Sequence, residues 1–476
     1  ARLSCAPTAA TLPAPIRART GKRSATEAHA RYWLMDYEDR KQCLAKHMRA
    51  ANGQAVRLAK PTSNLFRDRR GHGQALDVSD FGHVLAVDTA ANTIETEGMV
   101  TYEALTDAAL AHGLMPAVVP QLKSITIGGA VSGIGIESSS FRYGLPHETV
   151  QEMDVLLGNG EIVTCTPDNA HHDLFFGLAN SYGTLGYILR LKILAVPAKP
   201  FVRLNHVHCT DADDFFERLA AACDSEVDFI DGVVFDRGRH YLTLGEFIDQ
   251  APYSSDYTYL QIYYRSIPAR AEDYLSVRDY LWRWDTDWFW CSKNLYLENR
   301  LLRMLLGRER LNSITYQKVM RWNARLGITR RLGQLSGRQR EPVIQDVDIP
   351  IANAGTFLDF FHRQIGIRPL WICPVRHAAA RGDYPLFPMR TDTLYINFGF
   401  WDSIQTTPEQ AAGHFNRLIE KQVKALGGIK SLYSQSCYPE DEFWSLYNGD
   451  HYRALKVRYD PGDRLKDLYR KCVLHD

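Results

Sequence analysis

A glycine-rich segment, residues 125–144, places the strongest constraint on how this chain can fold. Its sequence, ITIGGAVSGIGIESSSFRYG, holds Gly128, Gly129, Gly133 and Gly135 within eight positions. Glycines let a backbone approach a phosphate closely and offer it N–H groups, and the neighbouring hydroxyl side chains are further donors. The segment therefore predicts a phosphate-bearing ligand, and the alternative is a tight, buried turn that binds nothing.

The glycine-rich loop of Rossmann folds does not fit this segment. That loop needs GxGxxG between a strand and a helix, with an acidic residue about 20 positions later. Here Ser138 stands where the third glycine belongs, although Asp154 lies near the acidic position. The dipeptide Asn159-Gly160 follows, which is the strongest short signal for a β-hairpin. Because a hairpin joins antiparallel strands, it excludes a parallel βαβ unit at this point.

Hydrophobic patterns elsewhere predict an α+β fold with antiparallel hairpins. Alternating apolar residues indicate strands at 55–60, 83–100, 150–166, 181–197, 342–351 and 393–401. Thr101 begins a predicted helix that ends at Gly113. Further helices are expected between the later strands, and the tail from residue 431 is predicted to be helical.

Composition excludes several classes of protein. The 476 residues suggest two or three domains, and 56 Lys and Arg against 55 Asp and Glu give no indication of a nucleic-acid partner. Nine scattered cysteines without a CxxC pair favour a reduced, cytoplasmic protein without a metal site. No run of about 18 apolar residues occurs, so we expect no membrane-spanning helix.

Several blocks of sequence resemble one flavoprotein family. They are ITIGGAVSGIGIESSSFRYGL, GNGEIVTCTP, LFFGLANSYGTLGYILRLKI, VPAKPFVRL, VIQDVDIP, RPLWICP, LYINFG and the tail. Together they resemble the vanillyl-alcohol-oxidase, or PCMH-type, FAD flavoproteins, and are most similar to the Δ24-sterol reductase branch. The resemblance implies a two-lobed FAD-binding domain (54–200), an α+β substrate domain (201–430) and a segment (431–476) that returns to the FAD-binding domain. The composition of the first residues, rich in Ala, Pro, Thr and Arg, predicts an N-terminal arm (1–53) before them.

The resemblance also assigns residues to FAD. The pyrophosphate segments of the family match Pro61, Thr62, Ser63, Asn64, Thr126, Ile127, Gly128 and Gly129. The residues expected beside the ribityl chain and the flavin ring are Gly133, Gly135, Ser138 and Ser139, followed by Tyr143 and Gly144. On the hairpin strand, Ile162 and Val163 would face adenine. Many relatives attach FAD covalently, and His72 is the alternative attachment point here, but we expect non-covalent FAD.

The implied reaction is reduction of a carbon–carbon double bond in a sterol-like or other lipid, with NADPH as the reductant. An isolated alkene accepts hydride poorly, so a protein acid must protonate one alkene carbon inside a dry, apolar site. The candidate acids in the returning tail are Tyr433, Cys437, Tyr438 and Glu442. Gln345, Asp346 and Asn397 are second-rank candidates for the acid, and the candidate substrate residues are Trp284, Trp288, Trp290, Gln345 and Asn397.

The sequence does not decide the role of two neighbouring segments. Tryptophans crowd into YLWRWDTDWFWC (280–291), which fits a core cluster, a lipid-binding slot or a membrane-facing patch. The following residues, 294–311, are predicted to form a basic amphipathic helix. Such a helix suits peripheral contact with an anionic membrane surface, and an ordinary surface helix is the alternative. A homo-oligomer is also left open.

Three other functions compete with sterol reduction. The first is a methylene-fatty-acyl phospholipid reductase, which would use the same acid and slot. The second is an FAD-dependent oxidase or dehydrogenase of an alcohol or hydroxy acid, which would need a polar, basic pocket. The third is a flavin-retaining binding protein without turnover.

Overall fold

The structure, a computed structural model, describes residues 36–51, 54–60, 66, 73–326, 339–377 and 382–475. The chain divides into two compact units, residues 1–43 and 44–476. Helix α1 (Tyr37–Ala50) begins in the first unit and ends in the second, within what the sequence predicted to be an arm. Three sheets of the described residues, with helices around them, make up the second unit.

The first region of the second unit extends to about residue 200. Its strands are β1 (Val56–Ala59), β2 (Gln74–Asp77), β3 (Val84–Asp88), β4 (Thr93–Glu97), β5 (Leu114–Pro116), β6 (Val150–Leu156), β7 (Ile162–Cys165) and β8 (Tyr187–Pro197). Its helices are α2 (Tyr102–Leu110), α3 (Ile127–Gly133), α4 (Ser140–Tyr143) and α5 (His172–Gly177). Strands β1 and β2 form a parallel pair, and the others form a six-stranded sheet in the order β3-β4-β8-β6-β7, with β5 also paired to β8.

The hairpin predicted at Asn159-Gly160 is confirmed. Strands β6 and β7 pair antiparallel, with Leu156 opposite Ile162, and Gly160 adopts a positive φ of 82° in the turn. The six-stranded sheet is antiparallel throughout, which rules out a doubly wound Rossmann sheet. The other predicted strands of this region and the helix capped by Thr101 are confirmed as well.

The second region is built on an eight-stranded antiparallel sheet. Its strands are β9 (Phe201–Cys209), β10 (Phe229–Asp236), β11 (Arg239–Ile248), β12 (Glu272–Ser276), β13 (Gln339–Pro350), β14 (Leu370–Arg376), β15 (Leu394–Thr406) and β16 (Ile429–Lys430). Its helices are α6 (Ala212–Cys223), α7 (Tyr263–Ser266), α8 (Val277–Leu281), α9 (Arg300–Leu306), α10 (Ser313–Leu326), α11 (Ile351–Gln364) and α12 (His414–Ala425). The strand order is β12-β9-β11-β10-β14-β15-β13-β16.

The two faces of this sheet pack against different partners. On β14, Leu370 and Ile372 join a core with helices α6, α11 and α12. The alternate residues Trp371, Cys373 and Val375 belong to a second core that also contains the first region. Because side chains alternate along a strand, this division fixes which residues of the sheet face the predicted FAD-binding region.

The tail returns to the first region, mainly through helices α13 (Glu440–Leu446) and α14 (Gly449–Tyr459). Lys456 Nζ donates to the carbonyl oxygen of Thr184 at 3.2 Å, and Lys471 Nζ donates to that of Tyr182 at 2.7 Å. Tyr459 OH donates to Asp173 at 2.6 Å. Among the described residues, no helix is both long and apolar enough to cross a bilayer.

The basic helix predicted over 294–311 is shorter than expected. Only Arg300–Leu306 is α-helical, between short 3₁₀ turns at Cys291–Leu295 and Arg308–Arg310. Left-handed backbone at Tyr296 (φ 58°) and a positive φ of 75° at Gly307 end the regular helix on either side. The Asn299 side chain caps its first turn by accepting from two backbone N–H groups.

Gly98 allows β8 to pack closely against the turn before α2. A Cβ atom on Gly98 would lie 2.2 Å from the carbonyl oxygen of Ile188, and this backbone cannot move without disturbing the sheet. We therefore expect Gly98→Ala to lower the free energy of unfolding by about 3 kcal/mol, measured by urea denaturation. Gly355→Ala, in the interior of α11 where no atom lies within 3.4 Å of the new Cβ, should instead be neutral or stabilising. Equal midpoints for the two variants would contradict the packing argument.

Candidate active site

A row of polar side chains crosses the sheet face that is turned toward the first region. Asp348 on β13 lies opposite Asn397 on β15, and Asn397 Nδ2 donates to Asp348 Oδ1 at 3.1 Å. Asp346 precedes this pair on β13, opposite Gly399. Asp346 Oδ1, Asp348 Oδ2 and Asn397 Oδ1 are shielded from water and have no hydrogen-bond partner in the described part of the chain. Such oxygens are positions at which a ligand can be bound.

Tyr433 brings the returning tail to this row. Its hydroxyl group shares a hydrogen bond with the Asp346 carboxyl group and accepts one from Trp401 Nε1 at 2.9 Å. The backbone N–H of Ser431 donates to the Asp346 carbonyl oxygen at 3.3 Å, which holds the tail beside β13. The predicted tail tyrosine and the second-ranked Asp346 are therefore in direct contact.

Burial makes Asp346 a neutral acid near physiological pH. It raises the pKa of the Asp346 carboxyl group to about 7, and the hydrogen bond from Tyr433 opposes this only in part. Burial likewise raises the pKa of Asp348 to about 7, against the hydrogen bond from Asn397. Burial and the nearby Asp346 carboxyl group raise the pKa of Tyr433 well above its usual range, so this phenol is the weaker acid.

Aromatic rings surround the contact between Asp346 and Tyr433. Trp288 stacks on Phe66 with ring centres 5.5 Å apart, and Phe66 meets Tyr433 edge-on at 5.8 Å. Phe289 stacks on Trp401 at 4.2 Å. Trp288 and Phe289 both have positive φ angles, of 46° and 57°, which bulky residues rarely adopt. Backbone strain of this kind tends to occur at functional sites, and here it positions the two rings that stack on Phe66 and Trp401.

A second polar cluster lies along the same face. The fully buried Arg283 donates to Asp231 Oδ2 at 2.7 Å and lies 3.6 Å from Glu137 Oε1. Burial raises the pKa of Glu137 to about 7 although Arg283 lowers it, and Glu137 Oε2 is without a partner among the described residues. Cys373 Sγ donates to the Glu137 carbonyl oxygen at 3.1 Å. The glycine-rich segment thus reaches the sheet face through Glu137.

The backbone N–H groups at the start of α3 already donate hydrogen bonds to other protein groups. Thr126 Oγ1 accepts from Gly129 N–H at 3.3 Å, while Ile127 and Gly128 N–H donate to the carbonyl oxygens of Val100 and Gly98 at 3.0 and 2.9 Å. These predicted pyrophosphate residues therefore hold the loop in place with their own amides. Lys60 brings a positive charge to this turn, because its Nζ would lie 3.7 Å from a Cβ on Gly129.

The loop after α3 meets the loop before β8 in a strained arrangement. Tyr182 OH donates to the Gly133 carbonyl oxygen at 2.7 Å, and Tyr182 N–H donates to that of Ser132 at 2.8 Å. Ile134, Asn180 and Tyr182 all have positive φ angles, of 59°, 61° and 51°. A β-branched residue such as Ile134 is a clear outlier in that region. The buried Asn180 Oδ1 is unpartnered among the described residues, so this loop pair offers a ligand an acceptor.

The remaining predicted FAD residues lie near this loop pair or on the hairpin. Ser138 Oγ donates to Glu137 Oε1 at 2.5 Å, and Ser139 Oγ donates to the Ala117 carbonyl oxygen at 2.8 Å. A Cβ on Gly135 would lie 2.8 Å from Pro120, and Gly144, which follows Tyr143, has a positive φ of 74°. Ile162 and Val163 form the start of β7. Pro61, Thr62, Ser63, Asn64 and His72 lie outside the described residues.

Together, these groups fit a cofactor that has both a phosphate and a polar ring system. Lys60 beside α3 suits the phosphate, and Asn180 Oδ1 and Glu137 Oε2 suit polar atoms of a ring. Phe66, two positions after the predicted phosphate loop, donates its N–H to the Tyr433 carbonyl oxygen at 3.0 Å. Phe66 therefore contacts the segment that carries Tyr433.

The other predicted acids lie away from the polar row. Cys437 N–H donates to Glu420 at 3.0 Å, beside the buried ion pair that Glu420 forms with Lys430. The Tyr438 ring centre lies 6.0 Å from Lys430 Nζ in the same cluster. Burial raises the pKa of Cys437 to about 11, and it raises that of Tyr438 well above its usual range. Glu442 forms a surface ion pair with Lys424 at 3.0 Å.

The predicted substrate residues are divided between the two sides of the sheet. Asn397 lies in the polar row, and Trp288 is the ring that stacks on Phe66. Trp284 and Trp290 are buried in the core and contact each other, so the tryptophan cluster is not a membrane-facing patch. Gln345 lies on the opposite face, where its Nε2 donates to Asn416 of α12 at 2.5 Å.

Comparison with known proteins identifies the family of the domain that carries the glycine-rich segment. Residues 41–166 match the FAD binding domain family. The chain carries an FAD-binding domain of the PCMH type. It is 25% identical over 402 residues to the Δ24-sterol reductase of Homo sapiens, covering 82% of this chain and 75% of the relative. The Δ24-sterol reductase homologue of Caenorhabditis elegans is 25% identical over 418 residues, 82% of this chain and 77% of the relative.

A more local match extends the comparison to another class of flavoprotein. Cytokinin dehydrogenase 10 of Oryza sativa is 31% identical over 200 residues, which are 37% of this chain and 36% of the relative. The matches to sterol reductases extend over far more of the chain than this one. The protein is an FAD-dependent oxidoreductase, similar to the Δ24-sterol reductases, and the buried acids at the sheet face belong to its candidate active site.

Proposed function

We propose that this protein reduces a carbon–carbon double bond in a sterol-like or other lipid. NADPH would be the reductant, and FAD, bound without a covalent link, would relay the hydride while a protein acid protonates the alkene. The matches to Δ24-sterol reductases over 82% of the chain support the substrate class. The single observation that carries the chemistry is Asp346, a shielded carboxyl group in an aromatic enclosure, with one oxygen unpartnered among the described residues.

The chain supplies what an unactivated alkene requires. Bound FAD offers hydride chemistry, which the protein complements with orientation and a proton. Asp346 holds the proton at its carboxyl group, because burial raises its pKa to about 7. Tyr433 orients that carboxyl group, and Phe66 and Trp401 pack around Tyr433 with Trp288 and Phe289 stacked behind them. Aromatic faces also stabilise the positive charge that develops on the alkene during protonation.

An anaerobic experiment tests the proposal. The purified yellow protein is reduced with NADPH, and candidate lipids are added while the flavin absorbance is followed. We expect a sterol with a side-chain double bond to reoxidise the flavin, and the matched saturated sterol to leave it reduced. Reoxidation by a methylene-fatty-acyl phospholipid instead would select that alternative substrate. Reduction of the oxidised flavin by an alcohol or hydroxy acid would contradict both, and the absence of a flavin spectrum would contradict FAD binding.

The dehydrogenase alternative has less support in the site. Oxidation of a hydroxy acid needs a base and a free cation to bind the substrate carboxylate. In the second polar cluster, Arg283 is already bonded to Asp231 and lies close to Glu137. Burial raises the pKa values of Glu137 and Asp346 to about 7, so both carboxyl groups can hold a proton for donation up to neutral pH.

A further inference from the structure

Exposed apolar side chains are concentrated in one short stretch of the chain. Of the twelve large apolar residues that are exposed in the described part of the chain, eight lie between positions 296 and 322. They are Tyr296, Leu301, Leu302, Met304, Leu305, Val319, Met320 and Trp322. We call them the apolar surface. Exposed apolar residues that occur singly need no explanation, whereas eight of them between positions 296 and 322 make this stretch a candidate binding surface.

Helix α9 buries the side chain of Arg303 and exposes those of Leu301 and Leu305. Arg303 is fully buried, where it forms an ion pair with Asp287 and donates to the Leu297 carbonyl oxygen at 3.2 Å. Leu301 and Leu305, one helical turn apart, are 66% and 80% exposed. Because breaking a buried ion pair is costly, the helix cannot rotate to bury its leucines. The apolar surface is therefore a fixed feature of the fold.

The same stretch carries a strong positive charge. Residues 300–340 contain eleven Lys and Arg and one Asp or Glu, whereas the whole chain has a net charge of only +1. The rest of the chain is thus net negative, and this stretch of the sequence has a large excess of basic residues. Arg300, Arg310 and Lys318 are exposed and have no ion-pair partner among the described residues. They surround the leucines in sequence with groups that attract phosphate headgroups.

We propose that the apolar surface docks on a lipid bilayer that contains anionic lipid. Leu301 and Leu305 would enter the boundary between headgroups and acyl chains, and the neighbouring cations would bind the headgroups. A second copy of the chain is the other apolar occupant to consider. Self-association through this surface would bring two strongly basic segments together, so charge favours the bilayer. This inference concerns how the protein meets a membrane, and it does not depend on which reaction it catalyses.

Binding to vesicles tests the proposal on the intact flavoprotein. We expect the protein to sediment with vesicles of phosphatidylcholine and phosphatidylglycerol at a 3:1 ratio, and to do so more weakly at high salt. The variant L301S/L305S should partition about 10- to 100-fold more weakly. Substituting the exposed apolar residues at the other end of the chain, V457S/L474S, makes a matched change outside the apolar surface and should leave binding unaltered. The variant R300Q/R310Q/K318Q should lose affinity for the anionic vesicles.

Several outcomes would overturn the proposal. Vesicle binding by L301S/L305S equal to that of the unchanged protein would remove the apolar surface from the interaction. Equal binding to pure phosphatidylcholine vesicles would remove the headgroup charge. A lipid-free dimer that L301S/L305S converts to a monomer would assign the surface to a second copy. Flavin absorbance and the thermal midpoint should not change in these surface variants, so a folding defect can be recognised.

Discussion

Replacing Asp346 with asparagine should lower kcat for lipid reduction by about 10²- to 10⁴-fold, the contribution expected of a positioned general acid. Asparagine keeps the size of the side chain but cannot donate a carboxylic proton, and Asp346 is the acid in contact with Tyr433 inside the aromatic enclosure. Flavin content and reduction of the flavin by NADPH should be almost unchanged. Steady-state turnover and rapid reduction, measured on the same preparation, separate these two effects.

The pH dependence provides a second measurement on the same residue. Burial raises the pKa of Asp346 to about 7, so the proton-donating form predominates below that pH. Turnover should therefore be constant at lower pH and fall about tenfold per unit above 7, and this limb should vanish in Asp346→Asn. Tyr433 lowers the pKa of Asp346 through its hydrogen bond, so Tyr433→Phe should move the limb to higher pH. Loss of turnover in Tyr433→Phe with an unmoved limb would instead make Tyr433 the donor.

Replacing Arg283 with methionine should lower the free energy of unfolding by about 3–5 kcal/mol, the cost of leaving a buried charge without its partner. Arg283 is fully buried and bonds Asp231 at 2.7 Å, with Glu137 at 3.6 Å. Without it, Asp231 keeps only the indole N–H groups of Trp284 and Trp371. Urea denaturation monitored by tryptophan fluorescence measures the change.

Two companion variants distinguish a buried charge from lost packing. R283M/D231N removes both ionic partners and should recover a large part of the lost stability, because the pair, rather than either residue, is the stabilising unit. Arg218→Met removes an arginine of an exposed pair with Asp214 on α6 and should leave the urea midpoint unaltered. If R283M/D231N were no more stable than Arg283→Met, the loss would come from packing.

Local patterns predicted the α+β class and many of the elements, because their signals are short-range. Asn159-Gly160 determines a hairpin and Thr101 caps a helix whatever the rest of the chain does. The helix predicted over 294–311 is longer than the observed helix because a local pattern carries no information about contacts with distant residues. Its arginine-and-leucine pattern predicted one continuous amphipathic helix, but Tyr296 and Gly307 have positive φ angles and Arg303 is buried with Asp287, a residue outside that stretch. Pairing between distant residues cannot be deduced from periodicity.

The candidate site was predicted only in part. Tyr433, Asn397 and Trp288 were singled out from the sequence and lie around the polar row, whereas Asp348, Arg283 and Lys60 were not. One usable signal was present, since Asp346 and Asp348 occupy alternate positions in a strand and must share a face. The same alternation sends Gln345 to the other face. The contact of Tyr433 with Asp346 joins residues 87 positions apart, which no local pattern reveals.

The core that both regions share makes them one thermodynamic unit. Side chains from Ile94 to Cys472 belong to it, and the sheet face with the polar row forms one of its walls. Neither region can expose its part of that core without uncovering the other, so the two should melt together. A cofactor bound along this boundary would then resist unfolding of both regions at once, and its loss would weaken segments that never touch it. The acids that prepare the chemistry are held rigid by the whole chain rather than by either half.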